Sequence, residues 1–147
     1  MIPTSGRVLG IDWGTSRIGV AISDETQLVA SPLATLRRRA GKRLPMRDFL
    51  TIVEREHPVG LVVGLALDDD GAEGTAATAA REMGDVFGAK SGLPLDWTDE
   101  SFSTVEAQDV MLASGRSRHH RAEHVDSAAA ATLLQQWLDR RRREPRV

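Results

Sequence analysis

Three carboxylates occupy positions in the chain where chemistry could be assembled. Asp12 closes a short apolar run in Gly10-Ile11-Asp12-Trp13-Gly14-Thr15, Glu100 follows Asp99 after another such run, and Asp126 opens an Ala-rich amphipathic stretch. Each has an ordinary reading: a turn former before Gly14, a polar loop residue and a helix N-cap, respectively. Against the last stands a spacing argument. Asp126, Ala130, Leu133 and Trp137 fall at i, i+4, i+7 and i+11, so the carboxylate heads the stripe that faces a sheet, where a solvent-facing cap need not lie. Three carboxylates brought together repel, and they either take up protons or hold a metal. Oxygen donors without His or Cys at ligand spacing suit Mg²⁺ or Mn²⁺. Two such ions about 3.5–4 Å apart position a water and stabilise the leaving oxygen of a phosphodiester.

The cations are clustered in a way that matches this chemistry. Arg37, Arg38, Arg39, Lys42, Arg43 and Arg47 form one block, and Arg116, Arg118 and Arg121 form a second, interleaved with His119 and His120. A third block lies in a basic C-terminal tail of about residues 139–147, with five arginines against two acids. Positive clusters on an otherwise acidic body fit phosphate binding, and equally fit solvated faces. The second block precedes Asp126 in what reads as a loop, so Arg116, Arg118 and Arg121 are the expected nucleic-acid contacts. His119, His120 and His124 lie in the same segment, where one could assist proton transfer near neutral pH. His57 before Pro58 fits a helix C-terminus. Trp13 can stack on a base or pack into the core.

The elements that must position these groups are legible as periodicity. Val8 to Asp12 reads as a strand, Gly14-Thr15 as a turn, and Arg17 to Ser23 as the second arm of a hairpin, with Ile18, Val20 and Ile22 alternating with Gly19 and Ala21. Leu28 to Leu36 supplies a third strand that Pro32 directs to a sheet edge. A helix is expected from about Pro45 to His57, and Gly60 to Leu67 reads as a parallel strand covered on both faces. A second helix over about Glu73–Ala89 and a strand at Leu95–Thr98 follow. Ser103-Thr104-Val105-Glu106 forms a capping box, so a helix should begin there and end before Gly115. The last helix is expected from near Asp126 to about Arg142, with Ala130, Leu133, Leu134, Trp137 and Leu138 on its buried stripe. This order predicts an α/β fold: a mixed five-stranded sheet with helices on both faces.

At 147 residues the chain suits a single domain, residues 1–147, with a sizeable core. Hydrophobic residues at 41% and charged residues at 27% are ordinary for a soluble protein, and no apolar run approaches the ~20 residues of a membrane span. The lack of cysteine excludes disulfides, thiolate metal sites and cysteine catalysis. Met1 to Gly6 shows no charged head with an apolar stretch behind it, which makes the cytoplasm the expected compartment. The balance of 19 basic and 21 acidic side chains decides nothing about nucleic acid by itself.

The chain resembles the YqgF family of Holliday-junction-resolvase-like nucleases over nearly its whole length, from Leu9 to Asp139. The resemblance rests on Gly10 through Ala21, on Val63-Gly64-Leu65 followed by Asp70-Gly71-Ala72-Glu73-Gly74, on Asp99-Glu100 with Ser103 through Ala107, and on Val125-Asp126 entering an Ala-rich helix. It implies a ribonuclease-H-like fold, metal-dependent phosphodiester hydrolysis and a role at the 5′ end of pre-16S ribosomal RNA. It further implies Asp12, Glu100 and Asp126 as catalytic metal ligands, with Mg²⁺ or Mn²⁺ as cofactor. Arg17, inside the first motif, joins the expected nucleic-acid contacts. Expected partners are structured or single-stranded RNA, branched DNA and ribosomal precursor particles. The chain departs from the family pattern at Ser101, where Arg is usual, at Ala66, where Pro is usual, and at Ser127, where Lys is common.

Other readings make different demands. A kinase or ATPase of the actin and sugar-kinase class shares the Asp12-Trp13-Gly14-Thr15 look, but it needs a second lobe that 147 residues cannot supply. No Walker A pattern is present, because Leu36 stands where its first Gly belongs and Arg43 replaces Ser or Thr. A Holliday-junction resolvase would act as a symmetric dimer, and a non-catalytic nucleic-acid or ribosome-assembly module would bind without cutting.

Overall fold

The computed structural model describes residues 1–14, 16–38, 44–65, 74–99 and 118–143, with side chains of the last helix from residue 126 onward. Three strands open the chain: β1 (Val8–Asp12), β2 (Arg17–Ser23) and β3 (Ala30–Arg37). Their alternation of large and small residues makes them a meander, with β1 antiparallel to β2 and β2 antiparallel to β3. Helix α1 (Met46–Glu56) then crosses back to β4 (Gly60–Leu65), and α2 (Thr75–Ser91) to β5 (Leu95–Asp99). Both crossovers return a strand parallel to its neighbour, and the five-stranded sheet has the order β3-β2-β1-β4-β5. The sheet ends on β3, the Pro32 strand, as the missing donor requires. Helix α3 (Arg118–Arg143) covers the opposite face. The expected mixed sheet with helices on both faces is therefore present.

Burial follows the strand period of two. Leu9, Ile11, Ile18, Val20, Leu61 and Val63 face α1 and α2, where Phe49 and Phe87 stack at 4.0 Å between centroids. Val8, Ala21 and Val62 face α3 and meet Ala130, Leu133, Leu134, Trp137 and Leu138, the stripe expected from the sequence. Small residues dominate this second face. A Cβ on Gly10 would stand 2.8 Å from Leu134 Cβ, so α3 lies close against the middle of the sheet.

The start of the last helix differs from expectation. Helix α3 begins at Arg118, eight residues before Asp126, so Asp126 is an interior residue of the helix and not its cap. The segment from Arg118 to Val125 lacks Gly and Pro and continues the helical turn without an apolar face of its own. Helix α1 ends where expected, at His57, which adopts φ 51° and donates its backbone N–H to the Val53 carbonyl at 2.9 Å. The capping-box helix expected over Ser103 to Gly115 lies outside the described residues. Among the described residues no helix is long and apolar enough to cross a membrane.

Candidate active site

Strand β1 delivers Asp12 to the sheet's carboxyl edge. Leu9 and Ile11 face α1 and α2 while Val8 and Gly10 face α3, so the alternation turns Asp12 toward α3. Directly across from Asp12 on β2 is Gly19. A Cβ placed on Gly19 would fall 1.9 Å from the Asp126 carbonyl oxygen, so the α3 backbone at Asp126 presses onto the strand at this point. The hydrogen side chain of Gly19 is what allows it. Asp12 and Asp126 thus share one end of one sheet face, outside the carboxyl ends of parallel strands, where open α/β sheets present ligand sites.

Arg17 completes this end. It lies two residues before Gly19 on β2 and therefore on the same face. Its Nε stands 2.7 Å from Asp126 Oδ2, with the Arg17 side chain 34% exposed and that of Asp126 24% exposed. The Nε–H does not point along a hydrogen-bond direction, so the contact is ionic. Arg17 pairs across the ladder with Arg37 of β3, and the next residue, Arg38, donates its backbone N–H to the Ser16 carbonyl at 2.9 Å. The Arg38 guanidinium lies 4.2 Å from the centre of the Trp13 ring. Trp13 is half-buried against the α1–α2 core and carries this cation on its face, so it packs and stacks at once.

Two of the three expected carboxylates therefore lie at the same end of one sheet face. Glu100, which follows β5, lies outside the described residues, as does Arg116. Among the described residues no group of three His, Asp or Glu side chains is gathered tightly enough to hold a metal. Arg118 and Arg121 lie in the first turn of α3, not in a loop, and nothing is described of their side chains. His119, His120 and His124 share that helical segment. Ser127, where a lysine is common in the family, is buried at the contact between α3 and Gly19. Among the described residues, Arg17 is a cation beside Asp126. Sequence reasoning missed that Arg37 and Arg38 adjoin the site. Hairpin pairing could have found them, because extending the β2–β3 ladder to the Asp12 end must place Arg37 opposite Arg17.

Comparison with known proteins gives this geometry its context. Residues 6–140 match the model of the RuvX family, described as Holliday junction resolvase. Curated relatives named as pre-16S rRNA nucleases include those of Rhodobacter capsulatus, 40% identical over 95% of this chain and 87% of theirs, and Paracoccus denitrificans, 42% identical over 96% and 89%. The Mycobacterium ulcerans relative of the same name is 42% identical over 93% of this chain and 81% of its own. Among solved structures, Thermus thermophilus RuvC in complex with a Holliday junction substrate superimposes with a TM-score of 0.56 at 17% identity, covering 94% of this chain and 96% of that one. The yeast mitochondrial Holliday junction resolvase gives 0.51 at 14% identity, covering 94% and 79%. Identities this low speak for the fold alone, which is ribonuclease-H-like. The family match and the 40% relatives carry the assignment further: the chain belongs to the RuvX family of nucleases.

Proposed function

We propose that the chain is a divalent-metal-dependent nuclease that hydrolyses phosphodiester bonds at the 5′ end of the pre-16S ribosomal RNA precursor, in the cytoplasm and on ribosomal precursor particles. The observation that supports this reading is the placement of Asp12 and Asp126 at one end of one sheet face, where α3 approaches Gly19, the residue opposite Asp12. The name shared by the curated relatives supplies the substrate.

The donor chemistry fits a hard divalent ion. Both carboxylates offer oxygen, and a cation, the Arg17 guanidinium, already attends Asp126. Asp12 and Asp126, with Glu100 from the segment after β5, would hold Mg²⁺ or Mn²⁺. Such an ion supplies a water of lowered pKa and neutralises charge on the phosphate. The chain's own residues do the remainder. Gly19 fixes the spacing between the strand that bears Asp12 and the helix that bears Asp126. Arg17, Arg37 and Arg38 place positive charge along the β2–β3 side of that edge, and Arg118 and Arg121 add more at the start of α3, where a polyanion must pass to reach the carboxylates.

A cleavage panel tests the reading. RNA carrying the 5′ extension of 16S, unstructured RNA and four-way DNA are offered to the purified chain with Mn²⁺, Mg²⁺, Ca²⁺ or EDTA. Cleavage of the precursor RNA with Mn²⁺ or Mg²⁺, little with Ca²⁺ and none with EDTA is expected. Cleavage confined to four-way DNA would replace the substrate with the one named by the family description, and full activity in EDTA would remove the metal.

A further inference from the structure

Arg17 is placed to serve either the carboxylate of Asp126 or an incoming phosphate. Its Nε lies 2.7 Å from Asp126 Oδ2, and this ion pair is its one side-chain polar contact with the described residues. The contact lacks hydrogen-bond alignment, and a third of the side chain is exposed. Nothing in the described structure clamps the terminal Nη groups, so the planar fork that suits bidentate phosphate binding is uncommitted. Across the ladder stands Arg37, a like charge on the same face.

Asp126 is in the mirror position. At the end of the sheet face that also bears Asp12 it is one of two carboxylates, whose negative charge is eased by a nearby cation. Arg17 is such a cation. A divalent ion entering between Asp12 and Asp126 would carry two charges to the spot where the guanidinium carries one, and the repulsion between the two cations would favour release of Arg17 from Oδ2.

Resting on the proposed metal-dependent function, we infer that Arg17 is an exchangeable counter-ion: it holds Asp126 in the metal-free protein, yields that carboxylate to the divalent ion, and then turns its fork to the non-bridging oxygens of the bound phosphodiester. Metal loading would thereby create the phosphate-binding cation, so that empty protein holds nucleic acid weakly and loaded protein holds it well.

The test measures binding, not turnover. Mn²⁺ titrated into the full chain without nucleic acid, followed by calorimetry or by the paramagnetic signal of free Mn²⁺, should show Arg17→Gln binding the ion about two- to fivefold more tightly than the parent, because a competing partly exposed ion pair is gone. With Ca²⁺ added to prevent cutting, affinity for precursor RNA should rise in the parent and rise far less in Arg17→Gln. Arg17→Lys, which keeps the charge and loses the fork, should bind Mn²⁺ as the parent does yet gain little RNA affinity. Unchanged or weaker Mn²⁺ binding by Arg17→Gln, with its melting temperature preserved, would overturn the exchange and make Arg17 a brace for Asp126. If Arg17→Gln melts early, Arg17→Lys decides: a parent-like rise in RNA affinity on metal loading overturns the proposal. Asp126→Asn separates this from the broader reading. If it binds Mn²⁺ like the parent, the metal site itself fails, whereas loss of Mn²⁺ in Asp126→Asn without a gain in Arg17→Gln sinks the exchange alone.

Discussion

At Gly19 a single methyl group would collide with the backbone that carries Asp126, since its carbon would lie 1.9 Å from the carbonyl oxygen. Backbone cannot rotate away as a side chain can. Gly19→Ala is therefore expected to lift the start of the packed part of α3, to cost about 1–3 kcal/mol of stability by overpacking, and to reduce cleavage well beyond the loss of folded protein. Denaturant unfolding read beside cleavage at saturating fold checks it, and unaltered cleavage would separate the site from the contact. Thr98 poses the opposite case. Its hydroxyl is buried on β5 without a hydrogen-bond partner among the described residues. Thr98→Val keeps the shape and removes the stranded polar atom, so stability should rise by about 1 kcal/mol in thermal or denaturant unfolding. A fall in stability would mean that the hydroxyl has a partner in the folded protein. Asp12 was legible as a candidate because a carboxylate closing a strand before Gly14 is visible in one dimension. Gly19 was legible only as a small residue in an alternating strand, since what makes it decisive is a helix more than a hundred positions away.

Elements were read well where their signal is local. Strand β3 fell at an edge because Pro32 lacks a donor, and α1 stopped at His57 before Pro58. The start of α3 was misplaced because helical periodicity reports burial, and the turns before Asp126 have no apolar stripe to report. A Ser- or Asp-type start signal is not a stop signal for the residues before it. The turn between β2 and β3 offers a test at this scale. Asp24 accepts the Thr26 hydroxyl and the backbone N–H groups of Val29 at 3.1 Å and Leu28 at 2.8 Å, and these bonds hold its pKa below the usual 3.8. A depressed folded-state pKa contributes stability that is fully present above the unfolded value and fades as pH falls through the folded one. Stability of the parent should thus drop below about pH 3.8 with a component that Asp24→Asn lacks. Parallel acid limbs for the two proteins in denaturant unfolding would show that the turn does not depend on the charge. At the C-terminal end of α1, His57 holds φ 51° without being Gly. His57→Gly should raise stability by about 0.5–1 kcal/mol by easing that left-handed turn, and a loss in calorimetry would contradict it.

Over the whole molecule, part of the C-terminal basic block serves the fold. Arg141 donates to the carbonyls of Ile2 and Pro3 and to Gln27 Oε1, and lies 4.9 Å from the Trp137 ring centre. Arg142 reaches the carbonyls of Gln27 and Leu28 and pairs with Asp139. Two of the C-terminal arginines thus tie α3 to the first residues of the chain and to the β2–β3 turn, at the end of the sheet away from Asp12. Sequence alone counts charges and cannot tell a tie from a docking cation. Arg141→Ala should lower stability by about 1–3 kcal/mol while leaving the salt dependence of RNA binding as it was. Joint replacement of Arg116, Arg118 and Arg121 should flatten that dependence by about 0.7 in slope per lost phosphate contact on single strands. A flattened slope in the first variant, or an unchanged one in the second, would reverse the assignment. The fold was legible because its parts repeat short-range rules, whereas the site depends on a long-range approach of β1, β2 and α3 that only the assembled sheet displays. The central claim is that Asp12 and Asp126 act together on one phosphodiester. Single-turnover cleavage of precursor RNA with Mn²⁺ by the parent, Asp12→Asn, Asp126→Asn and the double variant measures this directly. Each single change is expected to remove nearly all cleavage and the double change to add little, as for groups acting as a unit. Parent-like cleavage by either single variant would contradict it.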